Sequence, residues 1–131
     1  MMWVPGAKSM GQETDSVVEF LDIYPTLVDL CGLEAKHKLS GKSLRPVLAK
    51  PSKPWDNAAY TQVTRGRTMG YSVVNDRWRF IQWGADGKGG YELYDQSKDH
   101  DNYYNLADNP EYKKVRNEMA KLLKEGFPAL K

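Results

Sequence analysis

Gly90-Tyr91-Glu92-Leu93-Tyr94-Asp95-Gln96-Ser97-Lys98-Asp99-His100-Asp101-Asn102-Tyr103-Tyr104-Asn105-Leu106-Ala107 is the stretch on which the fold turns. Apolar and polar residues alternate through Glu92-Leu93-Tyr94-Asp95, the period of a strand with one buried face. A polar turn follows. Asn105-Leu106-Ala107 then leads into a helix, for which Asn109 is placed to cap while Pro110 and Glu111 suit the first turn. Tyr112, Val115, Met119, Leu122 and Leu123 recur at helical spacing among charged residues. Such a stripe has no use in water, so this helix needs a sheet face to cover.

Working back from that stretch, Gly84 to Gly90 contains four glycines and reads as a turn. Ala58 to Thr64, Thr68 to Val74 and Arg77 to Trp83 are rich in residues that favour strands. Asn75-Asp76 is a candidate two-residue hairpin turn, because both residues tolerate positive φ. Three short returns in succession predict an antiparallel meander. The expected fold is therefore α+β, with a small four-stranded antiparallel sheet packed by a carboxy-terminal helix. Tyr71, Trp78, Phe80 and Trp83 could form a stacking platform for sugars or bases, but they are expected to serve as core beneath the helix.

The first part of the chain has a different character. Residues 22 to 31 read as a helix: Asp22 can cap it, Pro25 is tolerated in its first turn, and Tyr24, Leu27, Val28 and Cys31 share a face. Gly32 supplies a stop. From Glu34 to Asp56 a polar segment with Pro46, Pro51 and Pro54 reads as a connector holding at most one short helix near Ser43 to Leu48. Met1 to Pro5 reads as a strand.

At 131 residues the chain can bury a core of its own. A net charge of +2, with Lys and Arg spread among Asp and Glu, argues against a strong nucleic-acid or anionic-membrane field. One cysteine excludes an internal disulfide without naming a compartment. No apolar run approaches the roughly 20 residues of a membrane span, and the first residues lack the pattern of a signal peptide.

Asn105-Leu106-Ala107 after Glu92-Leu93-Tyr94-Asp95 resembles the carboxy-terminal segment of a sulfatase. Val18-Glu19-Phe20-Leu21-Asp22-Ile23-Tyr24-Pro25-Thr26-Leu27-Val28-Asp29-Leu30-Cys31-Gly32-Leu33 resembles the passage from the alkaline-phosphatase-like catalytic domain towards the smaller one. Between them, Gly41-Lys42-Ser43-Leu44 has the family's Gly-x-Ser-Leu look. Tyr60-Thr61-Gln62 with Arg65, then Gly70-Tyr71-Ser72 and Arg77-Trp78-Arg79-Phe80, is most similar to the iduronate-2-sulfatase branch. Where that branch usually carries Arg in its Tyr-Ser-x-Arg strand, this chain has Val74.

The resemblance implies three parts: residues 1–33 as the end of a catalytic α/β domain, with Met1 to Pro5 as a strand of its parallel sheet, 34–57 as a connector, and 58–131 as the carboxy-terminal subdomain. It further implies a parent enzyme that hydrolyses sulfated sugars or other organic sulfates, using a calcium ion and a formylglycine, in the periplasm or outside the cell. The implied partners are the upstream catalytic domain and a sulfated small molecule or glycan. The rival reading is a small non-catalytic module for polyanions or single-stranded RNA.

Catalytic groups are not expected within the chain. Formylglycine arises in a Cys/Ser-x-Pro/Ala-x-Arg motif, whereas Cys31 is followed by Gly32-Leu33-Glu34-Ala35, so Cys31 is expected to be a packed core thiol. His37 and His100 have no metal-ligand neighbours at a useful spacing, and Asp99-His100-Asp101 reads as a solvated turn. Gln62 and Arg65 are the candidate substrate-binding residues. An arginine fork suits sulfate and carboxylate, and Gly66 would let backbone approach an anion. Arg67 is expected to be a solvated loop charge.

Overall fold

The computed structural model describes residues 2–130, which divide into two compact units, Met1–Asn57 and Ala58–Lys131.

In the first unit a 3-10 turn at Phe20–Asp22 runs into α1 (Ile23–Leu30), and α2 (Arg45–Ala49) follows. The buried positions here are Pro25 and Thr26 of α1 and Asp22 just before it. Asp22 is 1% exposed, and its carboxylate accepts the backbone N–H groups of Glu19 at 2.9 Å and Lys42 at 2.8 Å. Thr26 accepts the Leu44 N–H at 2.8 Å, and the Ser43 hydroxyl donates to Asp29 at 2.6 Å. These bonds explain the Gly41-Lys42-Ser43-Leu44 motif: three consecutive residues tie to α1 and the turn before it. Gly41 must be glycine, because a Cβ there would stand 2.1 Å from the Leu21 carbonyl oxygen.

Two expectations for this unit are corrected. Tyr24, Leu27 and Cys31 are exposed, because the polar Asp22/Thr26 side of α1 receives the Gly41–Leu44 segment and holds the inward position. Cys31 is therefore a surface thiol at the end of α1. The strand expected at Met1 to Pro5 is absent over Met2–Pro5; Met1 lies outside the described residues. A strand needs a neighbour to take its backbone groups, and here a turn bond from Ala7 N–H to the Val4 carbonyl forms instead.

The second unit is a meander of β1 (Ala59–Arg65), β2 (Thr68–Val74), β3 (Trp78–Trp83) and β4 (Tyr91–Asp95), antiparallel throughout in the order β1-β2-β3-β4. Gly66 opens the β1–β2 turn at φ +61°, the left-handed conformation that such a turn requires. The β2–β3 turn uses a different device from the one expected. Neither Asn75 nor Asp76 has positive φ; the Asn75 side-chain oxygen instead accepts the N–H groups of Arg77 at 3.0 Å and Trp78 at 2.6 Å.

The return after β4 satisfies its free edge. Asn105 accepts the Leu93 N–H and donates to the Tyr91 carbonyl, both at 3.0 Å, and Leu106 N–H donates to the Leu93 carbonyl at 2.8 Å. This is why the strand and the Asn105-Leu106-Ala107 segment occur together: the second completes the hydrogen bonding of the first. Asn109 then caps the helical entry by accepting the Glu111 N–H at 3.0 Å. After a 3-10 turn at Pro110–Tyr112, α3 (Lys113–Gly126) crosses β2 and β3.

Val73, Phe80 and Leu93 are cross-strand neighbours. All are fully buried beneath Met119 and Leu123 of α3. Side chains alternate across a strand, so register assigns every other residue to the opposite face, away from α3.

Candidate functional site

The face away from α3 carries three rows of cross-strand neighbours. Val74, Arg79 and Tyr94 form one, Ser72, Ile81 and Glu92 the next, and Gly70 with Trp83 lies beside that. Arg65 stands at the end of β1 opposite Thr68. Together Arg65, Thr68, Trp83, Gly89 and Glu92 line a shallow cleft of about 360 Å³.

Trp83 is held in place from three sides. Its indole N–H donates to Glu92 Oε1 at 2.8 Å. A Cβ on Gly70 would meet the indole ring at 2.7 Å, and one on Gly89 would meet Trp83 Cβ at the same distance. The two glycines therefore make room for the aromatic floor of the cleft. The second Glu92 oxygen accepts the Tyr94 hydroxyl at 2.8 Å. Burial, followed by this bond to the carboxylate, pushes the Tyr94 phenol up to about 12. With both oxygens engaged, Glu92 is a structural acceptor that orients Trp83 and Tyr94.

Arg65 is exposed at the rim of the cleft, and no ion pair engages it among the described residues. Gln62 does not share its site. The two stand three positions apart along β1, so their side chains project to opposite faces; Gln62 lies opposite Tyr71 on the α3 side and is exposed. Gly66 serves the hairpin turn next to Arg67, which is exposed. Of the four aromatics considered as a platform, Tyr71, Trp78 and Phe80 belong to the α3 face or its margin, and Trp83 alone lies on the opposite face. Glu92 and Tyr94 were overlooked in the sequence; their signal was the odd-even pattern of β4, which sends them to the face opposite Leu93.

Among the described residues no three His, Cys, Asp or Glu side chains converge as a cation site requires. Asp99 is occupied in closing its own turn, accepting the N–H groups of Tyr103 at 3.0 Å and Tyr104 at 2.8 Å. Cys31 does not stand in a formylglycine motif. No helix among the described residues is long and apolar enough to cross a membrane.

Comparison with known proteins places this architecture. The family described as N-sulphoglucosamine sulphohydrolase, C-terminal, matches residues 1–127. A sulfatase from Formosa agariphila is 37% identical over 103 residues, 79% of this chain and 19% of that protein. A Delta 4,5-hexuronate-2-O-sulfatase from Bacteroides thetaiotaomicron is 34% identical over 129 residues, 91% of this chain and 26% of its own length. Among solved structures, a 2-O GAG sulfatase superposes with a TM-score of 0.75 at 29% identity, over 95% of this chain and 28% of that one. The chain thus spans about a fifth to just over a quarter of these relatives' length, and the 2-O activity named for two of them is consistent with an iduronate-2-sulfatase-like branch. The strand meander, its helix and the match over residues 1–127 together show that the chain belongs to the sulfatases, as a member of the N-sulphoglucosamine sulphohydrolase carboxy-terminal family.

Proposed function

We propose that this chain is the carboxy-terminal portion of a larger, calcium-dependent sulfuric-ester hydrolase acting on a sulfated sugar, and that Arg65 receives an anionic group of that sugar. The observation that carries the proposal is the placement of an unpaired arginine at the rim of a cleft floored by an oriented indole. A sugar presents an apolar face and charged substituents, which an aromatic surface and a guanidinium fork recognise respectively. The relatives point the same way: one solved relative, 26% identical with a TM-score of 0.69, is described in complex with D-glucosamine-2-N,6-O-disulfate as its substrate.

In this reading the chain contributes binding and orientation. The nucleophile and the cation belong to the part of the enzyme that the chain does not span. Arg65 and Trp83 fix the sugar from one side, and Glu92 keeps the indole from turning.

The test is Arg65→Ala in the larger enzyme. Loss of a charge-assisted hydrogen bond of about 1.5–3 kcal/mol should lower kcat/KM on a negatively charged sugar substrate by roughly 10- to 150-fold. A small aryl sulfate, which does not reach the rim, should be hydrolysed at nearly the original rate. Equal and small effects on both substrates would return Arg65 to a solvated surface charge.

A further inference from the structure

We propose that Arg79 and Ser72 form a second receptor, for a small oxyanion such as a sulfate or carboxylate group, on the face of the sheet away from α3. This site is separate from the Arg65 cleft and does not depend on the function assigned to it. Arg65 and Arg79 are the cross-strand partners of Thr68 and Val74. Those two residues stand six positions apart on β2, or about 20 Å at the usual rise of an antiparallel strand.

Two buried polar atoms in this region have no partner among the described residues: Ser72 Oγ and Arg79 Nε. Ser72 is only 5% exposed. The two residues share a face. Ser72 pairs with Ile81, and Arg79 lies two residues from Ile81 on the same strand, a diagonal relation that a long side chain spans easily. A buried donor left unsatisfied is costly, and a cation more so.

The surroundings do not neutralise Arg79. Its cross-strand partners are Val74 on one side and Tyr94 on the other, and neither carries a carboxylate; Asp99, whose charge also acts on Tyr94, accepts the N–H groups of Tyr103 and Tyr104. Glu92, the nearest carboxylate on this face by register, already accepts from Trp83 and Tyr94. No ion pair involves Arg79 among the described residues. The other arginine of the same turn and strand is treated differently: Arg77 is fully engaged by Asp95.

Arginine donates through Nε and a terminal nitrogen as a planar fork that matches two oxygens of a carboxylate or sulfate. Arg79 is half-buried, so part of the side chain is reachable from solvent. A torsional shift of this long side chain would bring the fork to an arriving oxyanion. The Ser72 hydroxyl would then donate to a third oxygen. One bound group would satisfy both orphaned atoms.

The experiment is nitrogen-15 NMR on the full chain, following the Arg79 Nε–Hε signal and the Ser72 amide at constant ionic strength. The probes are sodium sulfate, sodium acetate and D-glucosamine-2-N,6-O-disulfate, each against sodium chloride. A saturable shift of both signals is expected, and the tighter of sulfate and acetate identifies which oxyanion the site takes. Arg79→Lys keeps the charge but loses the fork, and should weaken the apparent affinity about 10-fold or more. Ser72→Ala, which removes a buried hydroxyl without a partner, should leave the free chain at least as stable while also weakening binding. The absence of any saturable shift, or a shift that both variants leave unchanged, would overturn the proposal. Arg65→Ala should not alter these shifts, so this result and the test of the Arg65 cleft can fail independently.

Discussion

Gly70 and Trp83 face each other across β2 and β3 so closely that a single methyl group on Gly70 would stand 2.7 Å from the indole ring. The pairing ties a backbone choice to the shape of the cleft, because the ring that occupies the space above Gly70 is the one that Glu92 orients.

Gly70→Ala should therefore displace Trp83 and break its bond to Glu92. Overpacking of this kind costs roughly 1–3 kcal/mol. A lowered denaturation midpoint together with a shifted Trp83 indole N–H resonance is the expected outcome. An unchanged resonance would show that the ring is not seated on Gly70.

The carboxy-terminal helix should be structural, and its two neighbouring leucines should differ. Leu123 is fully buried whereas Leu122 is only half-buried. Leu123→Ala is expected to cost about 2–5 kcal/mol. Leu122→Ala should cost clearly less by the same measure, urea unfolding followed by circular dichroism.

Asp95 links the sheet to pH. The Arg77 guanidinium donates to both of its oxygens, at 3.1 and 2.7 Å, and the Ser97 hydroxyl donates at 2.6 Å. Arg77 first, against the opposing effect of burial and with Ser97 assisting, lowers the Asp95 carboxyl to about 2 from an ordinary 3.8. A carboxyl depressed in the folded state stabilises fully above its unfolded value, and that contribution is lost as pH falls through the folded value. Stability should decline from about pH 4 towards pH 2. Asp95→Asn should flatten that part of the urea-midpoint profile.

Much of this architecture was legible in the sequence, and for identifiable reasons. The alternation around Leu93, the four glycines of residues 84–90 and the stripe ending at Leu122 and Leu123 are periodic signals, and they define the meander and its helix. Features set by long-range polar contacts were hidden. Asp22 and Thr26 decide which side of α1 is buried by bonding to Lys42 and Leu44, some 20 residues away in sequence, and so Cys31 ends at the surface. Arg65 could be singled out from its fork chemistry, but its separation from Gln62 follows from strand alternation once β1 is known to continue through Arg65. The Glu92 clasp on Trp83 and Tyr94 needs the β3–β4 register, which composition does not reveal.

In the function proposed above, this chain shapes a sulfatase whose nucleophile lies elsewhere in the enzyme. The direct measurement is hydrolysis of an aryl sulfate by the purified chain, in the presence of calcium and after co-expression with a formylglycine-generating enzyme. No turnover above background is predicted, for the native chain and for Cys31→Ala alike. Turnover that survives Cys31→Ala would contradict the division of labour, and turnover abolished by it would make Cys31 the nucleophile after all.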